Sequence, residues 1–188
     1  FDIDRERDPL NPYHMMRLMV HTLDWVCPIS EDAKSKLLAC VDVPPDKLRV
    51  LSMGSTGAET HQRLDPPLFS TGELHLVSCS ALVALKQVPL LIDALALWPA
   101  QSRVNWLHIG GGPEETAIRA YAAEKLGAHA NIRYEITGML DSEQVAAIYA
   151  EKPLDIFVNV SRSEGVPVSI MEAMRAGLRI VAPRVGGI

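Results

Sequence analysis

The sequence predicts an α/β chain organised around a doubly wound parallel sheet, and three observations lead there. From residue 73 onward, short apolar runs rich in β-branched and aromatic residues alternate with longer segments of helical periodicity. Strands alternating with helices in this way make a parallel sheet covered on both faces. The glycine-rich and charged motifs all follow the predicted strands, and ligands of such sheets bind outside the carboxyl ends of the strands.

The elements are read in chain order. Residues 1–13 are charged and contain proline, as a loop does, and residues 13–23 carry Met15, Met16, Leu18, Met19 and Val20 as the core stripe of a helix. Residues 24–30 read as a short strand, although Pro28 suits its centre poorly because it brings no N–H. Ser30 caps a helix over 31–40 that starts with Glu31 and Asp32, and 47–52 is a second strand after Pro44 and Pro45. Residues 53–71 hold Gly54, Gly57, Pro66 and Pro67 without periodicity, which marks a linker.

The regular part begins with a strand at 74–79 and a helix at 88–98 that places Leu90, Leu91, Ala94, Leu95 and Trp98 on one side. A strand at 104–109 leads into a helix at 113–126 opened by Pro113, Glu114 and Glu115. A strand at 131–136 follows, then a helix at 142–150 with Ser142 as its cap. A strand at 155–160, a helix at 167–176 and a strand at 178–182 complete the series. His108, inside a strand, reads as a packed core histidine.

Bulk properties narrow the classes of function. The chain has 188 residues, enough for one domain or a domain with part of another, and 48% hydrophobic with 22% charged residues is ordinary for a soluble globular protein. A net charge of −5 offers no basic footprint, so a nucleic-acid partner is not expected. No apolar run approaches the roughly 20 residues of a membrane span, and no signal peptide opens the chain. Cys27, Cys40 and Cys79 lie in or beside apolar segments and read as buried thiols of a reducing, cytoplasmic compartment. The six histidines show no ligand spacing, so no metal site is expected. The chain opens at Phe1 and stops after Gly186, Gly187 and Ile188 without a closing element, which suggests a fragment of a longer protein.

The most informative stretch runs from Ser161 to Met174. A strand passes through a polar, Gly-containing turn into Pro167, which suits the first turn of a helix because its missing N–H has no partner there. Ile170, Met171, Ala173 and Met174 give the helix an apolar side, and Gly177 ends it. Strand, turn and helix N-terminus together form a place where free N–H groups and the positive end of the dipole face an anion. Glu164 lies in the turn and Glu172 within the helix. Two acids repel a phosphate, but they accept hydrogen bonds from hydroxyl groups that flank one. That combination describes a sugar nucleotide.

The wording Ser161-x-x-Glu164-Gly165-x-Pro167, followed by Glu172-Ala173-Met174-x-Ala176-Gly177 with seven residues between the acids, resembles the retaining GT-B glycosyltransferases of family 4, the glycosyl transferases group 1. Other stretches share the resemblance. Lys86 stands four residues after Leu82, where the family reads Gly-Arg-Leu-x-x-x-Lys, with Ala81 in the arginine position. Gly110-Gly111-Gly112-Pro113 is similar to the family's Gly-x-Gly-Pro turn, and it is not the Gly-x-Gly-x-x-Gly of dinucleotide folds.

The resemblance implies a Rossmann-like C-terminal domain of a GT-B fold preceded by the end of an N-terminal domain. The divisions would be 1–57 for the tail of the acceptor-side domain, 58–72 for the linker and 73–188 for a truncated nucleotide-sugar-binding domain. It implies a UDP- or GDP-sugar as donor, a glycan or lipid acceptor, transfer of a hexose with retention, and no metal cofactor. Glu164 would then bond hydroxyls of the donor hexose and Glu172 those of the ribose. The backbone of Gly165, Val166, Pro167 and Val168 would stabilise charge, and Lys86 would neutralise the diphosphate as it leaves. Gly111 and the backbone at Met139 would meet the donor, the latter at the nucleobase edge. An arginine missing at Ala81 is replaced by Arg162, by Arg184 or by a cation of the absent domain, or else the donor binds weakly. Peripheral membrane association through the absent domain stays open. A sugar-nucleotide-binding module without catalysis and a GT-B nucleotide-sugar epimerase are the other readings.

Overall fold

The computed structural model describes residues 16–55 and 72–188, and these fall into two compact units. Most of the expected linker at 58–72 and the expected loop at 1–13 lie outside the described residues.

The first unit comprises the described residues up to Gly54 together with Glu164–Val166 and Gly186–Ile188. Its helices are α1 (Met16–Thr22) and α2 (Glu31–Cys40). As expected, Ser30 caps α2, its hydroxyl accepting from Ala33 N at 3.1 Å. Lys47 Nζ closes the other helix, donating to the carbonyls of His21 and Leu23 at 3.2 and 2.8 Å, the end of the dipole that favours a cation. A small core of Val20, Leu37, Val41 and Val43 is flanked by Val26 and Leu48. The two strands predicted at 24–30 and 47–52 shrink to one parallel bridge, Val26 with Leu48. Val26 N donates to Lys47 O, Arg49 N to Val26 O and Leu51 N to Pro28 O. The next rung would need an N–H from Pro28, which has none, so the ladder stops there.

The second unit is the α/β, Rossmann-like body. Its strands are β1 (Glu73–Cys79), β2 (Arg103–Ile109), β3 (Ile132–Ile136), β4 (Ile156–Val158) and β5 (Arg179–Val181). All pair in parallel, in the order β3-β2-β1-β4-β5. The helices α3 (Val88–Ala96), α4 (Glu115–Leu126), α5 (Ser142–Glu151) and α6 (Val168–Arg175) fill the intervals. One core gathers Leu74, Leu76, Val104, Trp106 and Ile132 of the sheet with Leu91, Ile92 and Leu95 of α3 and Ile118 and Ala122 of α4. The other sets Val77, Leu107 and Phe157 against Val145 and Tyr149 of α5 and Ile170 and Ala173 of α6. A sheet packed on both faces is the reason its strands read as continuous apolar runs.

Several expectations of detail are corrected. The buried face of α3 is Val88, Leu91, Ile92 and Leu95, while Leu90 and Ala94 are exposed. Asp141, not Ser142, caps α5, in a capping box with Gln144 closed by bonds of 2.8 and 3.0 Å. Pro167 stands just outside α6 as its N-cap, and Met174 of that helix is exposed. The cysteines are not buried thiols: Cys27 is exposed and Cys40 and Cys79 are half-buried.

Candidate functional site

The strand order fixes where a ligand of the second unit can sit. From β1 the chain steps outward through β2 to β3, then returns to the other side of β1 with β4 and β5. The loops leaving β1 and β4 therefore diverge, and the crevice between their carboxyl ends is the switch point at which such folds bind ligands.

The loop after β1 is held tightly. Ser80 N donates to Ile109 O at 3.0 Å, Leu82 N to Gly111 O at 2.9 Å, and Glu114 N to Leu82 O at 3.1 Å. Leu82 is itself fully buried. Gly112 makes this approach possible: its φ of +159° and the Leu82 carbonyl, 2.6 Å from where a Cβ would be, both demand glycine. A single 3-10 turn, Ala84–Lys86, then presents Lys86. Gln87 follows with φ +48°, turning the chain into α3.

The loop after β4 meets it. Asn159 and Ser161 are buried, and Asn159 Oδ1 accepts from Ser161 N at 2.8 Å, an Asx turn that ends the strand. Arg162 N donates to Leu85 O at 2.9 Å, fastening one loop to the other. Ser80, Lys86, Asn159 and Ser161 thus line one small cavity of about 10 Å³, space for a single water. Sequence reasoning named Ser161 only as the start of its motif and did not find Asn159 or the turn the two form. Their signal was an Asn two residues before a Ser at a strand end.

α6 starts beyond this loop, and no side chain caps its N-terminus. Glu172, about a turn and a half from Pro167 and half-buried, faces back toward the end of β1. Its charge is felt by Cys79 and Tyr149, raising the proton affinity of both. Burial is the larger cause: it pushes the Cys79 thiol up to about 11 and Tyr149 well above the ordinary phenol range. A hydrogen bond with Tyr149 works against the shift at Cys79.

One strand further along the sheet, Gly111 and Met139 come together. Gly110 N donates to Gly138 O at 3.0 Å, and a Cβ on Gly111 would stand 3.0 Å from Met139 N. The Met139 side chain is 75% exposed. Glu164, Gly165 and Val166 belong to the first unit, where Gly187 N donates to Gly165 O at 2.8 Å and Glu164 is buried. The structure thus brings Lys86 to the Asn159–Ser161 turn and Gly111 to Met139. Ala81, Arg162 and Arg184 are exposed. Among the described residues no three His, Cys, Asp or Glu side chains form a group that could hold a metal ion, and no helix is long and apolar enough to cross a membrane.

His108 is a core residue, as predicted, but a hydrogen-bonded one. Its Nδ1 lies 2.8 Å from Ser78 Oγ, which accepts from Trp106 Nε1 at 2.9 Å. Burial holds its pKa down at about 4.

Comparison with known proteins bears on this geometry. The chain is 27% identical over 175 residues to the putative colanic acid biosynthesis glycosyltransferase WcaL of Salmonella typhimurium, covering 88% of this chain and 40% of that protein. Among solved structures it resembles the lipopolysaccharide outer core galactosyltransferase WaaB (TM-score 0.67, 19% identity, 87% of this chain and 44% of that one). It also resembles Anabaena HepE in complex with UDP and glucose (TM-score 0.63, 21% identity, 96% and 52%). TarM of S. aureus in complex with fondaparinux, alpha-GlcNAc-glycerol and UDP is similar as well (TM-score 0.70, 18% identity, 95% and 35%). At these identities the structural likeness is one of fold. The chain spans 35% to 52% of the length of these four proteins. The family model described as Glycosyl transferases group 1 matches residues 73–188, the whole of the sheet and its helices, and the chain therefore belongs to that GT-B family.

Proposed function

We propose that residues 73–188 are the donor-binding half of a retaining glycosyltransferase, which moves a hexose from a UDP- or GDP-sugar to a glycan or lipid acceptor. In this reading residues 1–57 are the tail of the acceptor-side domain, 58–72 the linker and 73–188 the donor domain. The observation that carries it is the switch point. Lys86, the Asn159–Ser161 turn and the N-terminus of α6 stand at the carboxyl ends of two adjacent parallel strands, β1 and β4.

The pyrophosphate lies over that crevice. Lys86 places a positive charge where negative charge grows on the departing diphosphate, and the N–H groups at the start of α6 add a fixed dipole with the same sense. Arg162, whose backbone is tied to Leu85, is the cation that supplies part of what Ala81 lacks. Glu172 accepts from the ribose hydroxyls and Glu164 from the hexose hydroxyls, while Gly165, Val166, Pro167 and Val168 offer backbone to the sugar and phosphate. Gly111 leaves room for the nucleoside, and the Met139 backbone reads the base edge. In this reading neither acid need be a covalent nucleophile. HepE and TarM, solved with UDP, support a uridine nucleotide as the first donor to try.

The test uses the full-length enzyme. Lys86→Ala and Glu172→Ala each lower donor affinity or turnover by more than about 1 kcal/mol, or roughly fivefold, the scale of a charge-assisted hydrogen bond. Lys36→Ala, a surface ion-pair partner in the first unit, serves as control. Unchanged kinetics in both site variants would refute the assignment. Ala81 favours one second reading, a module that binds a sugar nucleotide without turning it over. Calorimetry with UDP- and GDP-sugars beside an acceptor assay on the whole protein separates the two, and product analysis without acceptor identifies an epimerase.

A further inference from the structure

The donor-site reading leaves one buried polar chain unused, and it ends beside the loop that carries Lys86. His108 on β2 is fully buried. The Ser78 hydroxyl next to it, on β1, receives the Trp106 indole N–H at 2.9 Å and lies 2.8 Å from His108 Nδ1. An indole nitrogen only donates, so one lone pair of the hydroxyl is taken and its hydrogen remains to be placed. Given to Nδ1, it completes a run of donors in one direction, from Trp106 through Ser78 to His108, and the ring proton belongs on Nε2. The opposite tautomer aims two N–H groups at one oxygen and leaves the hydroxyl hydrogen to seek another acceptor.

Among the described residues Nε2 makes no hydrogen bond of good geometry. It lies 3.6 Å from the point that a Cβ on Gly110 would fill, and the Ser80 carbonyl oxygen stands closer still to that point. Gly110 has φ +136°, and any side chain there would strike that carbonyl. The Ser80 backbone is close enough to favour a protonated ring, against the larger effect of burial. Of the charged groups near the ring, Arg119 disfavours the imidazolium and Glu115 favours it, both from α4.

We propose that His108 is a positioning residue whose Nε2–H, aimed at the Ser80 carbonyl, holds the loop from Ser80 to Lys86 at the height where Lys86 meets the pyrophosphate. The role of Lys86 rests on the donor-site reading. The geometry of the support does not. Backbone bonds from Ser80 to Ile109 and from Leu82 to Gly111 hang the loop from the end of β2 and the turn after it. Beyond the glycines that allow this approach, the imidazole is the side-chain contact that depends on residue type. Trp106 and Ser78 fix its tautomer, so a hydrogen-bond chain in the core is coupled to a loop at the carboxyl end of the sheet.

The test begins with imidazole nitrogen spectra of the ¹⁵N-labelled chain. A neutral ring with its proton on Nε2 is expected between about pH 5.5 and 8; a proton on Nδ1 overturns the proposal. Two variants then divide the ring. His108→Gln keeps an N–H near the Nε2 position, and His108→Asn keeps a partner for Ser78 alone. Amide exchange from Ser80 to Lys86 stays within about threefold of wild type in the Gln variant and speeds up about tenfold or more in the Asn variant, with β3 unchanged. Equal exchange in the two variants overturns the proposal. Titration with UDP alone follows the same order, about tenfold weaker for Asn. A wild-type chain that binds no UDP sinks the donor-site reading, while the spectra and the exchange still decide the role of His108. Should both variants fail to fold, the wild-type spectra decide alone.

Discussion

Acid should destabilise this protein through His108 in particular. The imidazole starts from an ordinary pKa of 6.5 and is held at about 4, chiefly because burial penalises its charged form. A depressed folded-state value means that the unfolded chain binds the proton more readily in the interval between the two. The stability linked to His108 is therefore complete above pH 6.5 and is lost as the pH falls toward 4. At 1.36 kcal/mol per pKa unit the full loss is about 3 kcal/mol, of which about 2 kcal/mol is gone at pH 5. Urea unfolding of wild type and His108→Gln, at pH 7.5, 6 and 5, isolates the effect. Carboxylates titrate in both proteins, so the difference between the two curves reports His108. The variant is the less stable protein at neutral pH, and the gap narrows or reverses by about 2 kcal/mol at pH 5. A difference that stays flat across this range would mean that the ring is hydrated or paired when charged, and the account of its burial would be wrong.

Other expectations follow from single contacts. Asp141→Ala removes the capping box of α5 and costs about 1 kcal/mol in urea unfolding, while Ser142→Ala, beside it, costs much less. Phe157→Ala opens a cavity at a side chain with no exposed surface and costs about 3–5 kcal/mol, read in the same assay. Cys27 reacts with iodoacetamide readily at pH 8, whereas Cys79, held at about 11, reacts slowly until the pH approaches that value. Glu172→Gln removes a charge that raises Cys79, so alkylation of Cys79 at pH 9.5 becomes faster.

Much of the fold was legible because the sheet is covered on both sides. Runs such as 74–79 and 104–109 admit few polar residues, and the turn after the second is marked by three glycines and Pro113. The motif from Ser161 to Gly177 was equally plain, since Pro167 and Gly177 bracket a short helix. What escaped the sequence has local causes. In α3 the first residues are nearly all apolar, so periodicity could not choose between a stripe through Leu90 and one through Val88. At residues 24–30 the composition is strand-like, and one proline cuts the ladder. Cysteine exposure depends on which side of its segment each thiol emerges, which apolar neighbours do not reveal. The Trp106–Ser78–His108 chain needed the pairing of Ser78 with His108 across β1 and β2, a register that one sequence leaves open. Lys86 could be named, but the Asn159–Ser161 turn beside it could not, because strand order alone makes them neighbours.

The glycine pair after β5 has a last implication. Gly187 N is bonded to Gly165 O, and a methyl group added at Gly186 would collide with the Glu164 carbonyl. The shape of the acid-bearing turn is thus partly written far downstream of it, in two peptides without side chains. Clipping the chain just ahead of Gly186 would leave Glu164 in the molecule yet strip its main chain of this brace. A protease nick or an engineered tail at that point becomes, in effect, an edit of the acid's own address.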